Sequence, residues 1–399
     1  MVLSHVSRGV TAMEDVGVKR LTNMTSGESF DSNAVETNGI NIEREISDQR
    51  IFPTRIYAIP KNQMGANTLM KLPIRIANNT STPLHLNLYH PFFPELLASD
   101  GQTIQRLLVT DESVASTQLN TLQQRRPARQ TQQWKLPPGY GASISQTARL
   151  SWQNNLLQLQ IITGHFGSNN FWLFDALQPG NYQLRFILNI DRETIPVEDS
   201  EYKESGTGLG ILATPFLNLH LVQPLSTDSS AIEVNGVQFK TEMPDTVLTI
   251  PPNLPDASTH MKLGIRATNK TSTALYFEQI YSLGLTLLDD DGKEIQFTDT
   301  QRRLRAGTGP KSYLVQPGES AIFVCDGTLD WLMNQLLLAI PNKSGGNCLF
   351  AGLKPGTYQI QLIYHVSELM ANYLNQQVLE KIWTGWIAMP CVKFRLVEQ

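Results

Sequence analysis

Three consecutive carboxylates, Asp289, Asp290 and Asp291, stand directly before Gly292. Hard cations such as calcium gather several carboxylate oxygens at one turn, so this run invites a metal reading. Leu287 and Thr298 occupy the places where an EF-hand loop wants further acids, and a related stretch carries only Asp100 before Gly101. A plain hairpin turn is favoured over a cation site. Seven histidines (His5, His85, His90, His165, His220, His260, His365) form no HExxH and no close pair with a cysteine, so ordinary core or surface roles are favoured over zinc. GTGLG, from Gly206 to Gly210, leads into the strand-like ILATPFLNLHLV. A dinucleotide site needs a helix N-terminus there for the pyrophosphate, and none follows. There is no G-x-S-x-G on which to anchor a nucleophile, and the several N-x-[ST] triplets are read as turn composition. No catalytic, metal or cofactor assignment emerges, and none is made.

Two features point instead to recognition. Arg125, Arg126 and Arg129 are answered later by Arg302, Arg303 and Arg305. Guanidinium forks suit carboxylate or phosphate, so a repeated site for an acidic partner is one reading; solvated loop charge is the other, and it is favoured. Between the last two strands of the C-terminal half, SELMANYLNQQVLEKIWTGW carries Leu369, Met370, Tyr373, Leu374, Leu379, Ile382, Trp383 and Trp386, partly at helical spacing. The matching N-terminal stretch, DRETIPVEDSEYKES, is acidic. An aromatic excursion either packs on its own domain or is offered to a protein partner, where Trp and Tyr are common anchors. Both readings stay open for Trp383, Trp386, Tyr373 and Leu374.

These residues sit on a chain that repeats itself. MKLPIRIANNTSTPL from Met70 is answered by MKLGIRATNKTSTAL from Met261. AVETNGINI answers AIEVNGVQF, with Asn38-Gly39 and Asn235-Gly236 marking tight type I′ hairpins. Ile59-Pro60 matches Ile250-Pro251, where proline should end a strand. Leu72, Ile74 and Ile76 alternate with Lys71 and Arg75, as expected for a strand with one buried side. Asp100-Gly101 matches Asp291-Gly292, Pro138-Gly139 matches Pro317-Gly318, Trp152 matches Trp331, and Tyr182 matches Tyr358. The order of landmarks never changes, and a Ser/Thr/Gln-rich insertion in the first copy reads as a loop. After each Trp the copies diverge: Leu329, Leu332, Met333, Leu336, Leu337 and Ile340 fall at helical spacing, whereas LQLQI alternates. A short helix is expected in both copies.

Asp289 to Gly292, Pro317 to Ser320 and Pro355 to Tyr358 resemble the turn motifs of bacterial immunoglobulin-like sandwiches, most closely the intracellular proteinase inhibitor family. The resemblance covers about half of each copy and implies fold before activity. Protease inhibition is what it allows, and PPGYG in the first copy departs from it.

The expected fold is therefore mainly β: two tandem antiparallel immunoglobulin-like β-sandwiches from an internal duplication, each of roughly seven to nine short strands, with a short helix or excursion in each. Residues 1–32 form a polar disordered arm, 33–225 the first sandwich and 226–399 the second. A net charge of -4 offers no field for nucleic acid or an anionic membrane. Cys325, Cys348 and Cys391 all lie in the second copy, which excludes a shared disulfide framework and favours a reducing compartment. No run suits a signal peptide or a spanning helix, so a cytoplasmic protein without membrane insertion is expected. The leading function is a non-enzymatic structural or protein-binding module, part of an assembly or oligomer. A protease inhibitor or chaperone-like regulator that grips a segment at a sheet edge, and a carbohydrate-binding or hydrolytic protein using the cleft between copies, are the alternatives.

Overall fold

The computed structural model describes residues 18–20, 34–37, 40–44, 54–63, 65–87, 92–109, 133–162, 171–190, 210–278, 283–300, 312–341, 346–366 and 381–398. These residues are strands and turns, with no helix among them, and no helix long and apolar enough to cross a membrane. Of the N-terminal arm only Val18–Arg20 is described, as a short strand against Tyr140–Ala142.

In the first copy one sheet runs in the order Ala34–Thr37, Ile40–Arg44, Asn67–Asn78, Tyr140–Gln153, Leu156–Ile162, Phe171–Leu177 and Leu107–Val109, all neighbours antiparallel. Across a core that includes Ile74, Ile144 and Leu159 lie Leu184, Phe186 and Leu219 of a second sheet, where Gly180–Ile190 sits between Phe93–Ala98 and Leu217–Val222. The second copy is built alike. Gly264–Asn269 pairs with Val237–Glu242 and Ser320–Val324, and Gly356–Val366 lies between Leu283–Leu288 and Val392–Val397. Its front sheet is in two pieces, since the chain breaks pairing where Leu263 N–H turns to Asp326 Oδ1 at 3.0 Å.

The matched landmarks make matched bonds. Asn78 Nδ2 donates to Thr82 O and Leu136 O at 2.9 and 2.8 Å, and Asn269 Nδ2 donates to Thr273 O and Val315 O at 2.7 and 2.9 Å. Both asparagines are fully buried. Each Oδ1 accepts from a threonine two residues on, through N–H and hydroxyl. A buried Asn with its amide saturated pins a turn that backbone bonds alone would leave open. The hydroxyls of Tyr182 and Tyr358 each bridge N–H and C=O of the residue four positions earlier at 2.9 Å. Indole N–H groups of Trp152 and Trp331 reach Pro60 O and Pro251 O, both at 2.7 Å.

The helix expected after each Trp is absent. Leu329 to Ile340 is a hairpin: Gly327–Leu332 turns back into Gln335–Pro341, as Tyr140–Gln153 turns into Leu156–Ile162. The reason is local. Met333 and Asn334, like Asn154 and Asn155, take φ between 50° and 62°, the left-handed region of a two-residue turn, which no right-handed helix contains. Two strands with one buried face each, joined by such a turn, place leucines at intervals that imitate a helix. Leu332 and Met333, expected on the apolar face, are exposed.

Candidate functional site

The strand Thr54–Ala58 joins the two halves. It follows from the alternation in TRIYAIP, whose apolar positions fill both faces, and it ends at Pro60, which has no N–H to continue a ladder. On one side it pairs in parallel with Leu217–Val222 of its own copy, and on the other in parallel with Gly385–Ala388 of the second copy. A single sheet therefore runs through both halves. Ile56 and Ala58 face the second core, while Tyr57, Ile59 and the incoming Ala388 face the first. A strand buried on both faces cannot leave without exposing both cores.

Polar side chains lock this seam from above. Gln361, wholly buried, accepts from Leu69 N–H at 3.1 Å and donates to Met389 O at 3.4 Å. Gln359 Nε2 reaches Gly65 O at 2.7 Å, and Asn67 Nδ2 reaches the same carbonyl at 3.0 Å. Arg149 Nη2 donates to Gly292 O at 2.8 Å, and Lys71 pairs with Glu294. Burial holds the Arg149 guanidinium below its ordinary value, with Asp289 opposing. The bonds of Leu69, Gly65, Arg149 and Lys71 tie the first half to the back sheet and the Asp-Gly turn of the other half. Gly292 is part of the fit: a Cβ there would lie 2.2 Å from Asn67 Nδ2, and its φ is +71°. Arg55 donates to Lys71 O at 2.8 Å and lies over the Trp386 ring, 5.3 Å from its centroid, while Tyr57 packs on that ring at 4.9 Å.

Trp383 is 6% exposed, among Phe239, Phe277 and Tyr364 in the second core. Trp386 lies in the seam. Both indoles pack within their own chain. Tyr373, Leu374, Arg125, Arg126, Arg302 and Arg303 lie outside the described residues. The Asp289 to Gly292 run forms a turn closed by Asp289, which accepts from Lys293 N–H through Oδ1 at 2.8 Å. Among the described residues no three His, Cys, Asp or Glu side chains gather as metal ligands. The three cysteines are free, and burial pushes the Cys325 thiol up to about 12, Asp326 adding to the shift. A small pocket of the first copy is lined by Leu72, Ile74, Leu184, Phe186, Arg55 and Thr214. Its polar groups are already committed, Thr214 Oγ1 accepting from Phe186 N–H at 2.9 Å.

A second feature escaped the sequence reading. Asn253 Nδ2 bonds Asn334 Oδ1 at 3.2 Å, tying two loops at one tip of the second copy, as Asn62 bonds Asn155 at 3.1 Å in the first. Beside those bonds the first tip carries Gln63, Gln153 and Asn154, and the second carries Leu254, Leu332 and Met333. The latter are 63%, 54% and 91% exposed. The signal was present in the aligned copies as a polar-to-apolar exchange at three turn positions. The exchange is hard to see in the sequence because Leu332 and Met333 also fall at helical spacing with Leu329 and Leu336.

No protein-family model matches the chain, and no curated protein matches it.

Proposed function

We propose that the chain is a pair of immunoglobulin-like sandwiches descended from one by internal duplication, acting as a non-enzymatic structural and protein-binding module within a larger assembly. Support for common descent comes from the matched asparagine, tyrosine and tryptophan bonds, which neither a core nor a hairpin requires on its own. The observation that carries the binding role is the tip of the second copy. Leu254, Leu332 and Met333 stand in water where the first copy keeps amides. Exposed large apolar groups on tied loops are how a rigid scaffold offers anchors to a protein partner. Arg125, Arg126, Arg302, Arg303, Tyr373 and Leu374 stay in this reading as further contacts. The free thiols support a reducing, cytoplasmic compartment.

Affinity capture from the native lysate tests it. The wild-type chain should recover a stoichiometric protein, Leu254→Asp and Met333→Asp should lose it at least tenfold, and Asn154→Asp should keep it. Equal recovery by all four removes the tip from the account. One observation favours a second reading, an inhibitor or chaperone-like regulator: Val247–Thr249 has one unpaired edge among the described residues, on which an extended segment could add. A panel of intracellular proteases left uninhibited at micromolar chain would end that reading.

A further inference from the structure

We propose that copies of this chain associate head to tail, the strand Val247–Thr249 of one chain pairing in parallel with Gly210–Ala213 of the next, as Thr54–Ala58 pairs with Gly385–Ala388 within the chain. The inference rests on the reading of two like copies and extends it to a second molecule.

The seam joins unlike surfaces. The first copy contributes the outer edge of Thr54–Ala58 and the start of Asn67–Asn78; the second contributes Gly385–Ala388, Gln359, Gln361 and the Asp-Gly turn. Each copy holds the counterpart of the surface it does not use. Val247–Thr249 matches Thr54–Ala58: it pairs in parallel with Val392–Val397 as the latter pairs with Leu217–Val222, and Ile250 N–H reaches Val397 O at 2.8 Å as Ile59 N–H reaches Val222 O at 2.8 Å. Gly210–Ala213 matches Gly385–Ala388. Each runs beside the end of the long strand, and Thr214 N–H meets Phe186 O as Met389 N–H meets Leu362 O, both at 2.8 Å. Among the described residues no strand pairs with the outer edge of either counterpart.

Burial follows the same division. Ile56 is 8% exposed and its counterpart Val247 is 59%. Ala58, Asn67 and Leu69 are buried, whereas Thr249, Ser258 and His260 are exposed. Gln359 and Gly292 are buried, whereas Gln183 and Gly101 are exposed. Each half of the chain thus presents one side of an interface whose complete form the chain already contains. In the parallel ladder, Thr246 O and Ile250 N–H point to Val392–Val397, so the N–H of Val247 points outward. Copying the seam register sets Leu212 beside Val247 and lets Gln183 Nε2 reach Asp256 O. Asp256 holds φ +64°, close to the +73° of Gly65, whose carbonyl Gln359 meets.

The copied interface is weaker than its template. Thr103 stands where Glu294 receives Lys71, and Arg185, paired with Glu95, stands where Gln361 accepts from Leu69. The halves of the seam also meet within one chain, at an effective concentration on the order of millimolar, an advantage two chains lack. Association is therefore concentration-dependent. Because the contact is heterologous, it builds rings where the rotation closes and open fibres where it does not.

Sedimentation velocity of the full chain over a concentration series decides the matter. The wild type should pass from monomer to dimer and then to larger species. Val247→Pro removes the outward N–H, and Gln183→Trp fills the space that the Asp256 backbone must enter; each alone should remain monomeric. An equimolar mixture of the two should form a dimer and nothing larger, since one intact end remains on each. Circular dichroism and melting temperature report whether the variants fold, and Val247→Lys replaces the proline variant should it not. Monomer at every wild-type concentration, a dimer that both variants leave intact, or no dimer in the mixture overturns the proposal. A monomeric wild type that still captures a protein through Leu254 and Met333 sinks this inference alone; loss of both behaviours takes the binding reading with it.

Discussion

Gly292 and Gly101 occupy the same turn in the two copies and take nearly the same backbone angle, φ +71° and +82°. They differ in what lies beside them. A Cβ on Gly101 meets nothing within 4 Å, whereas one on Gly292 collides with Asn67 across the seam. Gly101→Ala should cost only the left-handed penalty, roughly 1–2 kcal/mol. Gly292→Ala should cost that and also displace Asn67 from its bond to Gly65 O, adding about 1–3 kcal/mol. Urea unfolding of the two variants measures the difference, and equal losses would mean that the seam does not press on this turn. Asp228 gives a residue-level pH test. It accepts from Ser230 through hydroxyl and N–H at 2.6 and 3.0 Å and pairs with Lys240 at 2.9 Å. The Ser230 hydroxyl first, with the Lys240 ammonium, holds its carboxyl at about 2 against the ordinary 3.8. A depressed folded-state value stabilises the fold above about pH 4, and that contribution disappears as pH falls toward 2. Melting temperature against pH should fall through this window, and Asp228→Asn should flatten that part of the curve.

At the scale of elements, the hairpin that replaced the expected helix shows what composition hides. Met333 sits at φ 50° in a turn where the first copy uses Asn154 at φ 51°. Asparagine tolerates that region and methionine does not, so Met333→Asn should stabilise the chain by about 1 kcal/mol, read as a rise in melting temperature. It should at the same time weaken capture of a partner. A destabilised variant would show that the turn geometry is not what limits this hairpin. The Asn-Gly, Asp-Gly and Pro-Gly turns were legible in the sequence because glycine and asparagine are chosen for backbone angles that few residues take; Asn235, Gly236, Gly139 and Gly318 all have positive φ. The period-two strands were legible for the same local reason. The Leu329 to Ile340 stretch is not legible in the same way, because periodicity alone does not tell a helix from two strands joined by a tight turn, and the deciding information lies in two dihedral angles.

At the scale of the molecule, the sequence shows two matching sets of landmarks and leaves the joint between the halves unseen. Gln359 and Gln361 look like the polar face of a half-exposed strand, and their counterparts Gln183 and Arg185 are such a face, the first exposed and the second half-buried. Only the pairing of Thr54–Ala58 with Gly385–Ala388 buries them, a contact between residues more than three hundred positions apart in the chain, which no local pattern encodes. The sequence leaves open whether Trp383 and Trp386 pack on their own domain or meet a partner; in the fold Trp383 fills a core and Trp386 packs at the seam. Trp386, Gln359, Gln361 and the shared sheet form the joint between the halves. Amide hydrogen exchange at Ile56 and Val247, measured in dilute monomer, tests this most directly, because the two residues hold matching places and, among the described residues, only Ile56 has a strand on its outer edge. Ile56 N–H should exchange only on global unfolding, and Val247 N–H should exchange near its intrinsic rate. Comparable exchange at the two amides would contradict the shared sheet and every conclusion built on it.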